Sequence, residues 1–273
     1  MMPFQPKYLF SVELLHFFSV GSVFRRVFWV FLVSSLYRTL MTYNILITRS
    51  PLFLDAGITN QVEMEQVTRN IYSTIQRQNC SKTPPLIVDG DTGYGGPSNM
   101  LRTISSLANA GAAAITIEDQ DFPKKCTIAA GNKIRIVNRE EAVGRVRGAL
   151  SARDFAGISS VNGADCWIVA RTDCRLAYGF DEVVERCLIF EALGAEIVYA
   201  ENLQSVEEYQ KLREKLDPDT ITMVAQVQKT KVANEAQNQI DEKPLLNAKQ
   251  IGELGFDLAL FGVTPLQCVI GCK

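Results

Sequence analysis

The strongest constraint on the fold is a repeat of short, almost continuously apolar runs, each followed by a stretch with recognisable helix ends. The runs are Leu86–Asp89, Ala114–Glu118, Cys166–Arg171, Glu196–Glu201, Ile221–Ala225 and Leu258–Gly262. A run that is apolar at nearly every position suits a parallel strand covered on both faces, whereas a half-exposed strand alternates. Between the runs, Ser98–Ala110 closes on Gly111, Arg139–Arg153 reads as a helix, and Asp181–Leu193 closes on Gly194. Ser205 with Glu208, and Asn247 with Gln250, have capping-box spacing and predict two further helices. Strand-then-helix units in series imply a parallel sheet, which is either an open doubly wound sheet or a closed (β/α)8 barrel.

The strand ends decide between the two. Five of the six runs finish near a chemically capable side chain: Asp89 and Asp91, Glu118, Arg171 and Asp173, Glu201, then Gln226. A closed barrel gathers its strand ends around one mouth, where its active sites sit. An open sheet spreads them along a line and uses mainly its switch point. The chain also contains no GxGxxG or GxxxxGK[ST] phosphate loop. The expectation is therefore an α/β fold, a (β/α)8 TIM-type barrel over residues 43–273, shortened at its N-terminal first unit and at its C-terminal helices.

Residues 1–42 stand apart. Their apolar runs, Tyr8–Phe24 and Val27–Tyr37, are split by Arg25 and Arg26. The first holds Glu13 and His16, and the second is short, so neither supplies the roughly 20 apolar residues of a spanning helix. Lys7, Arg25, Arg26 and Arg38 against Glu13 leave the segment basic, which reads as a targeting leader or as an extension outside the fold. The corresponding expectations are a cytoplasmic protein, or a mitochondrial or organellar one if the leader is genuine, with no firm membrane association.

Composition narrows the chemistry. His16 is the only histidine and lies far from every strand end, which argues against a Ser-His-Asp triad, a Cys-His dyad or a histidine-rich zinc site. Lys and Arg number 28 against 30 Asp and Glu, so no basic excess points to nucleic acid. The seven cysteines form no CxxC pair and read as mostly buried thiols in a reducing compartment. Carboxylates, lysine, arginine, cysteine or a hard metal ion must carry any reaction.

The densest cluster is Asp89-Gly-Asp91-Thr-Gly93-Tyr94-Gly95. Asp89 and Asp91, two apart at a strand end, share one face, and the glycines allow a tight turn close to a ligand. Gly93 and Tyr94 are candidate substrate-binding residues in that turn. With Glu118 from the next strand, the aspartates make an all-oxygen set that favours Mg²⁺ or Mn²⁺. An Asx turn capping the following helix is the structural alternative. About 20 residues then separate Glu118 from the helix at Arg139, long enough for a lid. In that loop Lys124 and Lys125 adjoin Cys126, which favours the thiolate; a solvated basic loop is the plainer alternative. Arg171 suits a two-point clamp on a carboxylate, or a structural bridge to Asp173 or Glu201.

Taken together, Asp89–Gly95, Ile117-Glu-Asp-Gln120, Phe122-Pro-Lys-Lys-Cys126 and Ile168-Val-Ala-Arg-Thr-Asp173 resemble the isocitrate lyase and phosphoenolpyruvate mutase superfamily, over residues 84–216. The resemblance implies a (β/α)8 barrel, Mg²⁺ (or Mn²⁺) as cofactor, a homo-oligomer (dimer or tetramer), and chemistry on small carboxylate substrates through an enolate or carbanion. Carried over by position, Asp89, Asp91 and Glu118 are implied metal-site carboxylates, with Asp55 in Leu54-Asp-Ala-Gly57 as an additional one. Lys124 and Cys126 fall on the gating loop, Arg171 resembles the substrate-binding arginine, and Glu201 matches the strand-end glutamate of the lyases.

Cys126 separates subfamilies, since carbon-carbon lyases carry Cys there and phosphonate mutases Asn. The expected activity is therefore Mg²⁺-dependent cleavage of a small 2-hydroxy di- or tricarboxylate of the 2-methylisocitrate lyase type. The alternatives are a phosphonate or carboxyphosphonate phosphorylmutase and a catalytically silent paralogue. Three departures bear on the choice. Thr127-Ile128 replaces the lyases' Gly-His or Gly-Gln, Gln226 replaces an Asn, and the Gly-Lys-Thr-Pro run survives only as Glu242-Lys-Pro244.

Overall fold

A computed structural model of the chain describes residues 28–29, 57, 59–77, 85–122, 124–125, 134–155, 166–226 and 245–261. In chain order the elements are β1 (Phe28–Trp29), α1 (Gln61–Arg77), β2 (Ile87–Asp89), α2 (Pro97–Asn109), β3 (Ala114–Ile117), α3 (Arg139–Phe155) and β4 (Trp167–Thr172). They continue with α4 (Arg175–Tyr178), α5 (Phe180–Ala192), β5 (Ile197–Ala200), α6 (Val206–Lys215), β6 (Ile221–Ala225), α7 (Ala248–Glu253) and β7 (Leu258–Leu260). All six expected strands form, most of them a residue or two shorter than the apolar runs. Helix α1 has no counterpart in the sequence reading.

The sheet is parallel throughout, in the order β1-β7-β6-β5-β4-β3-β2. Strands β2 to β7 follow one another in sequence order, and the two-residue β1 adds at the β7 edge. Among the described residues no pairing joins β1 to β2, so the observed architecture is a parallel α/β half-barrel rather than a demonstrated closed ring.

The two faces of the sheet differ, and the difference explains the continuous apolar runs. Successive strand residues point to opposite sides. Val88, Ile115, Ile117, Ile168, Ala170, Val198, Ala200, Val224 and Ala259 face a core shared with helix residues such as Met64, Ile104, Val146, Cys187, Phe190 and Leu212. The alternate positions, Ile87, Ala114, Val169, Ile197, Tyr199, Met223, Ala225, Leu258 and Leu260, form a second apolar cluster with Ile221 packed against it, all of them strand residues. Thus the described helices that reach the core lie on one side, and the apolar cluster on the other side is made of strand residues. A doubly wound sheet would carry helices on both, so the packing supports the barrel family of folds.

Helix ends are set locally. Asn247 and Gln250 complete a reciprocal capping box at α7. At α6 the Ser205 hydroxyl accepts from Glu208 N, but Glu208 reaches back to Gln204 N instead of Ser205 N. Pro97 opens α2 at a position where its missing N–H has no partner to lose. Among the described residues no helix is long and apolar enough to cross a membrane.

Candidate active site at the strand ends

On the inner face β2 to β5 change from apolar to polar toward their C-terminal ends, whereas β6 and β7 stay apolar, so the polar residues of four neighbouring strands converge. Asp89 pairs in register with Thr116, and Arg171 with Tyr199. Continuing by two residues on the same face brings Glu118, Asp173 and Glu201 beyond the strand ends. Asp89, Asp91, Glu118, Lys124, Arg171, Asp173 and Glu201 are all buried.

The turn after β2 is strained. Asp91, Gly93, Tyr94 and Gly95 have φ of 51°, 89°, 58° and 138°. A left-handed conformation at the non-glycine positions costs about 1–3 kcal/mol each and persists only where the surroundings impose it. Here Asp89 Oδ1 accepts from Asp91 N at 2.9 Å, so the Asx-turn reading of the pair is realised alongside its place in the site. Asp91 O accepts from Glu118 N at 2.9 Å, tying the turn to β3. Gly93 is buried against α2, its carbonyl accepting from Thr103 Oγ1 at 3.0 Å, and Tyr94 packs on the sheet–helix core. These two residues shape the turn, Gly93 against α2 and Tyr94 against the sheet–helix core.

Lys124 lies at the centre. Its Nζ donates to Asp91 Oδ1 at 2.6 Å and sits 2.8 Å from Glu118 Oε1. Its aliphatic stem runs beside Gly57, where an added Cβ would come within 3.2 Å of Cγ. Among the described residues neither Glu118 oxygen accepts a hydrogen bond, although both are buried and face cations, Arg171 Nη1 standing 3.5 Å from Oε2. Burial raises the Glu118 pKa above its ordinary value, with Lys124 and Arg171 opposing and the two aspartates adding to the rise.

Arg171 makes a two-point contact with Asp173, Nε to Oδ2 at 2.9 Å and Nη2 to Oδ1 at 2.6 Å, and stands 3.9 Å from Glu201. Its guanidinium lies 5.1 Å from the Tyr199 ring centroid, and the Tyr199 hydroxyl donates to Glu201 Oε2. Burial works against the Arg171 charge, but Asp173, Tyr199, Glu118 and Glu201 outweigh it and hold the pKa well above the ordinary value. Asp173 is pushed well up, chiefly by burial and despite Arg171.

Sequence reading missed a layer behind these groups. Asp119 Oδ2 accepts from Thr172 Oγ1 at 2.5 Å and from Arg186 Nη1 at 2.8 Å, while Oδ1 accepts from Asp173 N at 2.8 Å. Arg186 on α5 is 1% exposed and also reaches Glu182 and Val137 O. A charged residue on the apolar stripe of a helix was the available signal. Gln226, expected at the mouth, is buried with its amide donating to Tyr209 and its carbonyl accepting from Leu246 N. Cys126 and Asp55 lie outside the described residues, as does most of the loop that follows Lys125. Cys166, Cys174 and Cys187 are buried free thiols.

The donor set is hard oxygen, which fits Mg²⁺ or Mn²⁺, and the unbonded Glu118 oxygens leave acceptor capacity for a cation. Among the described residues no three such groups form a ready-made shell, and the Lys124 ammonium stands between Asp91 and Glu118.

Residues 53–267 match the family described as Phosphoenolpyruvate phosphomutase. The chain is 32% identical over 221 residues to 2-methylisocitrate lyase of Aeropyrum pernix, which covers 81% of this chain and 61% of that protein. It is 33% identical over 177 residues to 2,3-dimethylmalate lyase of Eubacterium barkeri, which covers 65% of this chain and 53% of that protein. The chain thus spans less than two thirds of the length of either relative. A solved structure of 2,3-dimethylmalate lyase, described as a PEP mutase/isocitrate lyase superfamily member, superposes with TM-score 0.68 at 25% identity, covering 90% of this chain and 77% of that one. The matched region takes in every strand of the half-barrel from β2 to β7 and every charged group of the site, and the chain belongs to the phosphoenolpyruvate phosphomutase family within that superfamily of lyases and mutases.

Proposed function

We propose that the protein is a Mg²⁺-dependent lyase that cleaves a carbon-carbon bond of a small 2-hydroxy di- or tricarboxylate, with Mn²⁺ able to substitute, and that its half-barrel is part of a closed (β/α)8 barrel. The observation that carries the reading is the meeting of Asp91 and Glu118 around a buried cation, the Lys124 ammonium, with Asp89 bonded into the same turn and Arg171 beside Glu118. The names of the relatives, 2-methylisocitrate lyase and 2,3-dimethylmalate lyase, favour cleavage over phosphoryl migration.

The three carboxylates would hold the metal, which when bound stabilises the negative charge developing on the oxygens of the 2-oxo acid product. Arg171, locked in orientation by Asp173, binds a substrate carboxylate in the two-point fashion a guanidinium allows. Glu201, the strand-end glutamate, stands beside that guanidinium, 3.9 Å from Nη2. Transfer of the hydroxyl proton to a carboxylate of the site and breakage of the bond, whose electron pair stays on the departing carbon, give a 2-oxo acid and a carbanion. Cys126, next to Lys124 and Lys125 in sequence, is the proton source assigned to that carbanion. For Asp91 and Glu118 to hold a divalent cation, the Lys124 ammonium would have to give up its contacts with them.

The test is an assay of pyruvate or glyoxylate release from a panel of small 2-hydroxy di- and tricarboxylates with and without Mg²⁺. Metal-dependent 2-oxo acid formation that collapses in Cys126→Ala is expected. No 2-oxo acid from any substrate, or full activity in the variant, would overturn the reading.

A further inference from the structure

Arg171 is contested by three carboxylates. Asp173 occupies Nε and Nη2 at 2.9 and 2.6 Å, Glu118 stands 3.5 Å from Nη1, and Glu201 stands 3.9 Å from Nη2. Such an arginine accepts an incoming anion only while part of its fork stays open, because each carboxylate that closes to hydrogen-bonding distance takes a donor. Asp173 already has its two donors and Glu118 is restrained by Lys124 at 2.8 Å, so Glu201 is the carboxylate left to close. Among the described residues, the hydrogen bond that restrains the Glu201 carboxylate comes from the Tyr199 hydroxyl.

Tyr199 is also out of place in its layer. Its inner-face neighbours Ile197, Val169 and Met223 are apolar, yet Tyr199 is fully buried among them with a hydroxyl that must be paired. Register sets it directly opposite Arg171, and its ring lies 5.1 Å beneath the guanidinium. One side chain therefore touches both the cation and the carboxylate that competes for it. Burial holds the phenol pKa well above its ordinary value, with Glu201 adding to the rise, so the hydroxyl stays a donor.

We propose that Tyr199 is a positioning residue that keeps Arg171 open to a substrate carboxylate, its ring flooring the guanidinium and its hydroxyl restraining Glu201 from closing on Nη2. The inference rests on the reading of Arg171 as the anion-binding group and not on the cleavage chemistry. Removing the hydroxyl leaves the ring in place but frees Glu201, which needs to move only about 1 Å to bond Nη2.

The test is calorimetric titration of oxalate, a planar two-carboxylate anion, into the wild-type protein, Tyr199→Phe, Glu201→Gln and the double variant, all with excess Mg²⁺. Tyr199→Phe weakens oxalate about tenfold, equivalent to about 1.4 kcal/mol. Glu201→Gln binds as well as the wild type or better. The double variant lies within about twofold of Glu201→Gln, since the competitor no longer carries charge. A purely structural role for the hydroxyl would leave the double variant as weak as Tyr199→Phe, and that result overturns the proposal. So do an unchanged Tyr199→Phe, a weaker Glu201→Gln, or no oxalate binding by the wild type. Absence of 2-oxo acid formation alongside the expected oxalate series would instead overturn the lyase reading and leave this inference standing.

Discussion

Asp119→Ala is expected to be among the most damaging single substitutions in the described structure, although Asp119 is not a candidate ligand or catalytic group. Asp119 is 2% exposed and its carboxylate meets three donors: Thr172 Oγ1 at 2.5 Å, Asp173 N at 2.8 Å and Arg186 Nη1 at 2.8 Å. Alanine leaves a hydroxyl and an amide unpaired in the interior, each worth about 1–3 kcal/mol in lost solvation. It also leaves the Arg186 guanidinium, 1% exposed, with Glu182 as its one remaining carboxylate partner among the described residues. These losses share one site and do not add; removing one partner of a buried pair brings about 3–5 kcal/mol.

For a domain of this size, that loss corresponds to a fall in Tm of roughly 6–20 °C. Urea unfolding followed by circular dichroism gives the number directly, and an unchanged m value shows that the two states being compared are the same. Asp119→Asn should cost less, because an amide oxygen still accepts from Asp173 N. The pair replacement Asp119→Leu with Arg186→Met should recover part of the loss, since no charge is then stranded. A loss in Asp119→Ala below about 1 kcal/mol, comparable with a surface change, or a double variant no better than the single one, would refute the argument.

Three further outcomes follow from the same geometry. Gly93→Ala should lower Tm by several degrees, because an added Cβ meets Met100 Cε at 2.3 Å and φ is +89°; a thermal melt equal to wild type would contradict it. Mg²⁺ at millimolar concentration should raise the Tm of the wild type and not of Asp89→Ala, and an equal rise in both would place the metal elsewhere. Cys166 and Cys174 are pushed up to about 12, chiefly by burial, so neither should be alkylated in the native protein at pH 8, as read by mass spectrometry. The folded thiols keep their protons while the unfolded chain loses them near 9, so their contribution is complete below that pH and is lost as pH rises toward 12. The urea midpoint should fall between pH 8 and 10.5, and a rise would contradict the assignment.

The barrel type of fold was legible because its signal is local. The apolar runs from Leu86 to Gly262 mark strands covered on both faces, and Gly111, Gly194, Ser205 and Asn247 mark helix ends within a turn of where they occur. The strand-end residues Asp89, Asp91, Glu118, Arg171 and Glu201 could be grouped because a period of two fixes which face each takes, and parallel register then brings them to one edge. Helix α1 escaped notice because its buried stripe, with Gln61 and Thr68 beside Met64 and Val67, is weakly apolar.

What the sequence by itself determined, then, is the kind of sheet and the identity of the charged groups at its rim. Only the tertiary structure decided how those charges are matched. Lys124 fills the place between Asp91 and Glu118, Asp173 rather than Glu201 takes the Arg171 fork, Gln226 turns to Tyr209, and Asp119 with Arg186 supports the strand end from behind. Charge pairing in a buried site depends on distances of a few tenths of an ångström between groups 30 to 70 residues apart, and no local pattern in the chain encodes such a distance.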